Sequence, residues 1–286
     1  MSTTQLDTIA AEIFAALESD QLELPTLPDL AIKISTLIDD PNASTDKIVN
    51  LLASDPAISV HLIKAANSAA LSPGRAVDDV RSAIARLGYR MLRNMVMTIT
   101  MNKMFKVDNP LINKRLKVLW DHSREVAANS YVLAAQHKHL RPEQAMLAGL
   151  VHEIGVLPLC LFANRLYPQI DEESLNSLIR MYAAKVGTKL LESWHFPAEL
   201  ADVITGHEDL QREGSSYMPD YVDIVMVANL QMPTTAKFVA WDNVSAAPKL
   251  GLSFADNQNF LTTYAEQLAS VRTMLGVETS KSSPGR

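Results

Sequence analysis

Apolar residues recur at helical spacing along most of this chain, and that period leaves a bundle of helices as the fold it can build. In TDKIVNLLA, Ile48, Leu51 and Leu52 stand at i, i+3 and i+4, and in AISVHLIKAANSAAL, Ile58, Leu62 and Ala65 share one face. RSAIARLGYRMLRNMVMTITMNKMF carries the pattern through Ile84, Leu87, Met91, Leu92, Met95, Val96 and Ile99. Each run puts an apolar stripe on one side of a helix, and that stripe must be buried against a neighbour. Alternating Val, Ile, Tyr and Thr between turn residues, the mark of strands, is scarce. The expected class is all-α, a multi-helix bundle. Five methionines between Met91 and Met104 are expected to fill core, since an unbranched thioether fits irregular gaps.

Turn chemistry punctuates the helices. Asp40-Pro41 and Asp55-Pro56 mark helix boundaries; Asp55 is placed to cap a helix whose first position, needing no N–H, goes to Pro56. Pro73 and Gly74, within Leu71 to Arg75, read as a turn. Lys106 to Asn113 reads as a joint. The expected organisation is an N-terminal helix over 1–21, an N-terminal helical half over 22–108, a second helical half with the C-terminal helices over 109–276, and a disordered tail over 277–286.

Bulk properties narrow the function classes. The chain is 48% hydrophobic and 20% charged, an ordinary globular composition. Its net charge of −6 argues against a broad electrostatic grip on nucleic acid. The one cysteine, Cys160 in LPLCLF, reads as a small buried hydrophobe and suits a reducing compartment. The N-terminus lacks a basic leader and carries acids through its apolar part, so it reads as a helix and not a signal peptide. No uncharged apolar run approaches the roughly 20 residues that cross a bilayer. These points lead to an expectation of a cytoplasmic protein without membrane insertion.

Candidate chemistry centres on GLVHEIGVLPL, Gly149 to Leu159, where His152 and Glu153 stand together in an apolar segment. A buried acid beside an imidazole is costly unless something pairs or coordinates it. Neighbouring side chains on a helix diverge by about 100°, so one ion between them is reachable by both. A partly buried His–Glu hydrogen bond, or an acid that simply faces solvent, is the plainer alternative. Among the seven histidines, His137 and His139 follow a helix C-terminus beside Lys and Arg, where the helix dipole accounts for them. His61 reads as partly exposed, and His195 in ESWHFP, ahead of a Phe-Pro helix stop, as a packing residue. His122, His152 and His207 remain, each on or at the end of a central helix.

The ordered set Leu24-Pro25, Leu27-Pro28, Asp40-Pro41, Asp55-Pro56, Ala66 to Ala69 (ANSA), Ala83-Ile84 and Leu87-Gly88, followed by LWDHS, GLVHEIG, VGTKLLESWHFP and GHED, resembles the HDOD domain family over roughly Leu22 to Leu230. That resemblance implies an HD-like helical bundle with an N-terminal helical subdomain. It also implies kinship with the HD and HD-GYP phosphohydrolases, whose divalent metals are held by His and Asp. HDOD domains are generally regarded as bacterial signalling modules without established catalysis. By the same resemblance His122 matches the first histidine and His152 that of the His-Asp pair, where Glu153 replaces the Asp. Glu is longer by one carbon–carbon bond, ~1.5 Å. Val156 stands where relatives often carry a Lys. Ala183, Gly206 and Asn229 occupy positions expected to be His, His and Asp, and Asn ligates hard divalent ions less well than a carboxylate.

The ligand set left by that comparison is His122, His152, Glu153 and His207, with Asn229 as a poor fifth. It is too few for a two-metal centre, and no cofactor is expected beyond a single Mn, Fe, Ni or Zn ion. The leading expectation is a non-catalytic signalling module acting through contacts with other signalling proteins, with Glu153 kept as a hydrogen-bond partner that closes the bundle. A mononuclear metal-dependent phosphohydrolase is the alternative, and a cyclic-dinucleotide receptor without hydrolysis a further one. Asn67, Arg75 and Arg93 are the candidate ligand- or partner-binding residues; for Asn67 a local bond to backbone is expected, and for the arginines a solvated role competes with anion binding.

Overall fold

The structure, a computed structural model, describes residues 3–19, 22–68, 75–213, 217–233, 235 and 239–277. The Pro73-Gly74 turn and the tail beyond Val277 lie outside the described residues. The N-terminal part is built from α1 (Thr3–Glu18), α2 (Asp29–Asp39), α3 (Thr45–Leu52), α4 (Pro56–Ala66) and α5 (Val80–Met101), which tightens into a 3₁₀ turn at Asn102–Phe105. There follow α6 (Pro110–Ala134), α7 (Pro142–Val151), α8 (Val156–Leu166), α9 (Glu172–Ser193), α10 (Ala198–Gly206) and α11 (Tyr221–Leu230). A 3₁₀ turn at Trp241–Asn243 leads to α12 (Ala246–Lys249), α13 (Phe254–Thr263) and α14 (Ala265–Met274). Among the described residues there is no strand. The fold is all-α, as the periodicity requires.

The helix starts follow the turn chemistry. Asp55 accepts hydrogen bonds from the Ala57 and Ile58 amides with Pro56 at the first helical position. Asn109 does the same for Leu111 and Ile112 ahead of Pro110. Four of the five methionines, Met91, Met95, Met97 and Met101, are buried in the core. Phe105 and Trp120 pack with ring centroids 4.7 Å apart, tying the end of α5 to α6. The Leu-Pro pairs acquire a role too: the Trp194 indole donates to the Pro25 carbonyl at 2.8 Å, pinning the extended 22–28 segment to the end of α9.

Two helices differ from a simple periodic reading. The long apolar pattern over 81–105 is not one straight helix, because Gly88 takes φ 73° and ψ 161° and kinks α5 there. Residues 142–166 likewise do not form one helix: α7 stops at Val151, and His152 to Gly155 turn the chain into α8. The His–Glu pair therefore sits at a break between helices and not along one. The cause is packing. A Cβ on Gly155 would lie 1.9 Å from the Ala183 carbonyl oxygen, so the chain there runs against the backbone of α9. This apolar stretch is long enough to cross a bilayer, but 83% of its most apolar window is buried inside the bundle.

The C-terminal helix joins both parts. α14 packs on α4 and α6, and its last carbonyls, which have no partner within the helix, are met by side chains from both. His61 of α4 bonds the Met274 carbonyl at 2.7 Å, and Arg124 of α6 donates to the Gly276 carbonyl. Arg272 adds an ion pair to Glu125 at 2.8 Å.

Candidate functional site

Three histidines meet where α6, α7 and α10 come together. His122 comes from the middle of α6, and His152 and His207 are the residues that end α7 and α10. Both helix-end rings are fastened in the same way. His152 Nδ1 bonds the Gly149 carbonyl at 2.8 Å and His207 Nδ1 bonds the Val203 carbonyl at 2.9 Å. A carbonyl only accepts, so each Nδ1 carries the proton and each Nε2 is left with a lone pair, the form in which imidazole binds metal. Both Nε2 atoms are buried without a hydrogen-bond partner. Ring centroids lie 5.2 Å apart for His122 and His152, and 4.9 Å for His152 and His207.

Glu153 is the shared carboxylate of the cluster. Its oxygen groups with His122 and His152, and again with His207 and Glu208, the ligand atoms of each set lying within 4.8 Å of one another. Its closest approach to His122 Nε2 is 3.9 Å, too long for a hydrogen bond. The expected hydrogen-bonding role for Glu153 is thus corrected: the carboxylate faces the imidazole across a gap. Asn229, nearly buried on α11, lies against His122, and its Oδ1 has no partner. Asn129 Oδ1 and Ser130 Oγ of α6 are also buried without one. Native structures leave few such atoms unpaired, and a group of them calls for water or an ion.

Burial disfavours the charged form of two of the rings. Burial, reinforced by the charges of His207 and His122, holds the His152 imidazole well below its ordinary range, against the opposing pull of the Gly149 carbonyl. Burial also lowers His122, opposed by Glu153 and reinforced by His207 and Arg115. Glycines set how close the helices come. A Cβ on Gly149 would sit 2.7 Å from Ser130 Oγ and 2.8 Å from Ala127 Cα, so α7 lies directly on α6.

The structure gathers His122, His152, Glu153, His207 and Asn229 and leaves the other three candidates elsewhere. Asn67 ends α4 and clamps the following loop, accepting from the Val77 amide at 2.9 Å and donating to the Val77 carbonyl at 2.8 Å. Arg75 is exposed in that loop, its carbonyl taking a bond from Arg86 at 2.6 Å. Arg93 of α5 pairs with Asp39. Sequence reasoning missed Glu208, although the signal was present: His-Glu occurs twice, at 152–153 and 207–208, and each copy sits at a helix end. It also took His195 for a packing residue. His195 is exposed and has φ 57°, in the left-handed region.

A helical bundle with inward imidazoles from facing helices defines a fold of the HD-like phosphohydrolase type. Residues 24–210 match the family model of the HDOD domain, and the chain belongs to that family. A Shewanella amazonensis SB2B protein, whose description proposes a metal-dependent phosphohydrolase, shares the fold with a TM-score of 0.81 at 24% identity, over 96% of this chain and 100% of its own. An HDOD domain protein of unknown function from Geobacter sulfurreducens aligns with a TM-score of 0.63 at 23% identity, covering 95% of this chain and 98% of its own. A Treponema pallidum (strain Nichols) protein of uncharacterised function is 23% identical over 93% of this chain, which spans 52% of that relative's length.

Proposed function

We propose that this chain is a regulatory module of bacterial signal transduction that acts through contacts with other proteins, and that its histidine cluster is not a hydrolytic centre. The observation that carries this reading is the donor set. Two buried imidazoles, His152 and His207, a partly buried one, His122, and a neutral amide, Asn229, make up the inner side of the cluster, while the carboxylates, Glu153 and Glu208, are partly or fully exposed. A two-metal hydrolase needs carboxylates to bridge and neutralise its ions. Support also comes from a Marinobacter aquaeolei VT8 neighbour described as a signal transduction protein, with a TM-score of 0.61 at 21% identity, over 95% of this chain and 66% of its own.

The orphaned Nε2 atoms favour a second reading, a mononuclear metal-dependent phosphohydrolase. The residues offer two three-donor sets that share Glu153, one with His122 and His152 and the other with His207 and Glu208, and either fits one divalent ion such as Mn, Fe, Ni or Zn. A divalent ion in such a set acts as a Lewis acid toward a phosphoryl oxygen. The protein's own part is then to present lone pairs through the backbone-fixed tautomers of His152 and His207 and to disfavour, by burial, the charged forms of His122 and His152.

Metal analysis of protein purified without chelator, together with an assay on bis(p-nitrophenyl) phosphate supplied with Mn²⁺, separates the two. The regulatory reading expects no turnover above buffer, and no difference between the wild type and His152→Gln. Metal-dependent turnover lost in His152→Gln establishes the second reading instead.

A further inference from the structure

Away from the histidines, a cleft of about 1220 Å³ opens between the N-terminal part and the rest, and none of the cluster residues lines it. Past its kink, α5 turns Arg90, Arg93, Asn94 and Met97 into the cleft, the i, i+3, i+4, i+7 set of one helix face. Arg141, immediately before α7, adds a third guanidinium. Glu199 and Asp202, one turn apart on α10, supply acids on another wall, and Leu27, Leu147, Trp194 and Phe196 supply apolar lining. Ile32 of α2 is 46% exposed there.

The charges are not used up within the fold. Asp39 occupies Arg93 and Asp220 occupies Arg212, but Arg90 and Arg141 project without an acidic partner among the described residues. The Arg93 Nε is buried with no acceptor. Asn94 donates to the Glu143 carbonyl at 2.6 Å, fixing α5 against α7. At one corner stands His195, held in left-handed backbone.

Size and charge pattern together choose the occupant. The cleft exceeds the roughly 300–1000 Å³ of small-molecule pockets, and its acids oppose a polyanion. We propose that it receives an amphipathic helix of a partner signalling protein, apolar toward Ile32 and Phe196, acidic along the flank against Arg90 and Arg141, and basic along the flank against Glu199 and Asp202. Apolar contact gives such a helix its affinity, and the two charged flanks give it one orientation. The proposal rests on the regulatory reading above and names the surface through which it works.

The test uses the full chain and two pools of fluorescent synthetic helices of about four turns. In both pools the apolar stripe varies among Leu, Met and Phe; in one the Glu and Lys flanks match the cleft, and in the other both flanks are Gln. Anisotropy titration is expected to show the matched pool binding about tenfold tighter. Arg90→Glu/Arg141→Glu abolishes the preference, and so does Glu199→Lys/Asp202→Lys, four exposed positions at which folding is not at stake. His122→Ala changes neither. Equal binding of the two pools, or no binding of either, overturns the proposal. So does a cyclic dinucleotide that binds in an Arg90- and Arg141-dependent way and displaces the matched helix. Phosphodiester turnover bears on the regulatory reading alone, because no cleft residue belongs to the histidine cluster.

Discussion

At the scale of single residues, the site depends as much on atoms that are missing as on those present. Gly155 has no room for a methyl group, with the Ala183 backbone where a Cβ would go. Backbone cannot step aside as a flexible side chain can, so Gly155→Ala is expected to cost at least about 4 kcal/mol, read as a collapse of the melting temperature. His122, His152, Glu153 and His207 were legible from residue type and order, since an acid beside an imidazole in an apolar run needs a partner. Their protonation was not legible. The tautomers of His152 and His207 are set by the Gly149 and Val203 carbonyls, which belong to backbone geometry. Glu208 was overlooked because its exposed position gave the burial argument nothing to act on.

At the scale of elements, helix ends carry the information that periodicity hides. Asp40-Pro41 and Asp55-Pro56 announced their boundaries, and Phe196-Pro197 in ESWHFP announced the end of α9 but not the left-handed turn that makes it. There Phe196 donates to the Leu191 carbonyl and His195 to that of Glu192, the hydrogen-bond pair of a Schellman cap with His where glycine is usual. His195→Gly relieves the left-handed strain and is expected to raise stability by about 0.5–1 kcal/mol, measured by chemical denaturation. At the start of α11, Asp220 and Asp223 form a capping box, and Arg212 holds both carboxylates. Burial raises the Asp220 carboxyl, yet Arg212, the Asp223 amide and Lys249 bring it below its ordinary range. A carboxylate with a depressed folded pKa adds stability above its unfolded value and loses it as pH falls through the folded one. Asp220→Asn keeps the cap and removes the charge. It is expected to be about 1 kcal/mol less stable than wild type at pH 7, a modest figure because the pair is half exposed. That gap should close as pH drops below about 4, as melting curves across pH will show.

At the scale of the whole molecule, the class of fold was legible and its closure was not. The all-α bundle follows from the spacing of Ile, Leu and Met, whereas the docking of α14 onto α4 and α6 depends on contacts far apart in sequence. His61→Ala/Arg124→Ala removes the side chains that finish α14. The double variant is expected to lose about 2 kcal/mol, with the amides of α14 exchanging hydrogen sooner than those of α6. This closure also sets a schedule. His61 and the Met274 carbonyl are 213 residues apart, so at about 5–20 residues per second of synthesis α4 waits about 10–40 s on the ribosome before its covering helix exists. For that interval the side of α4 that α14 covers is bare, and a nascent chain built this way needs a chaperone, or a slow collapse, until its last helix arrives.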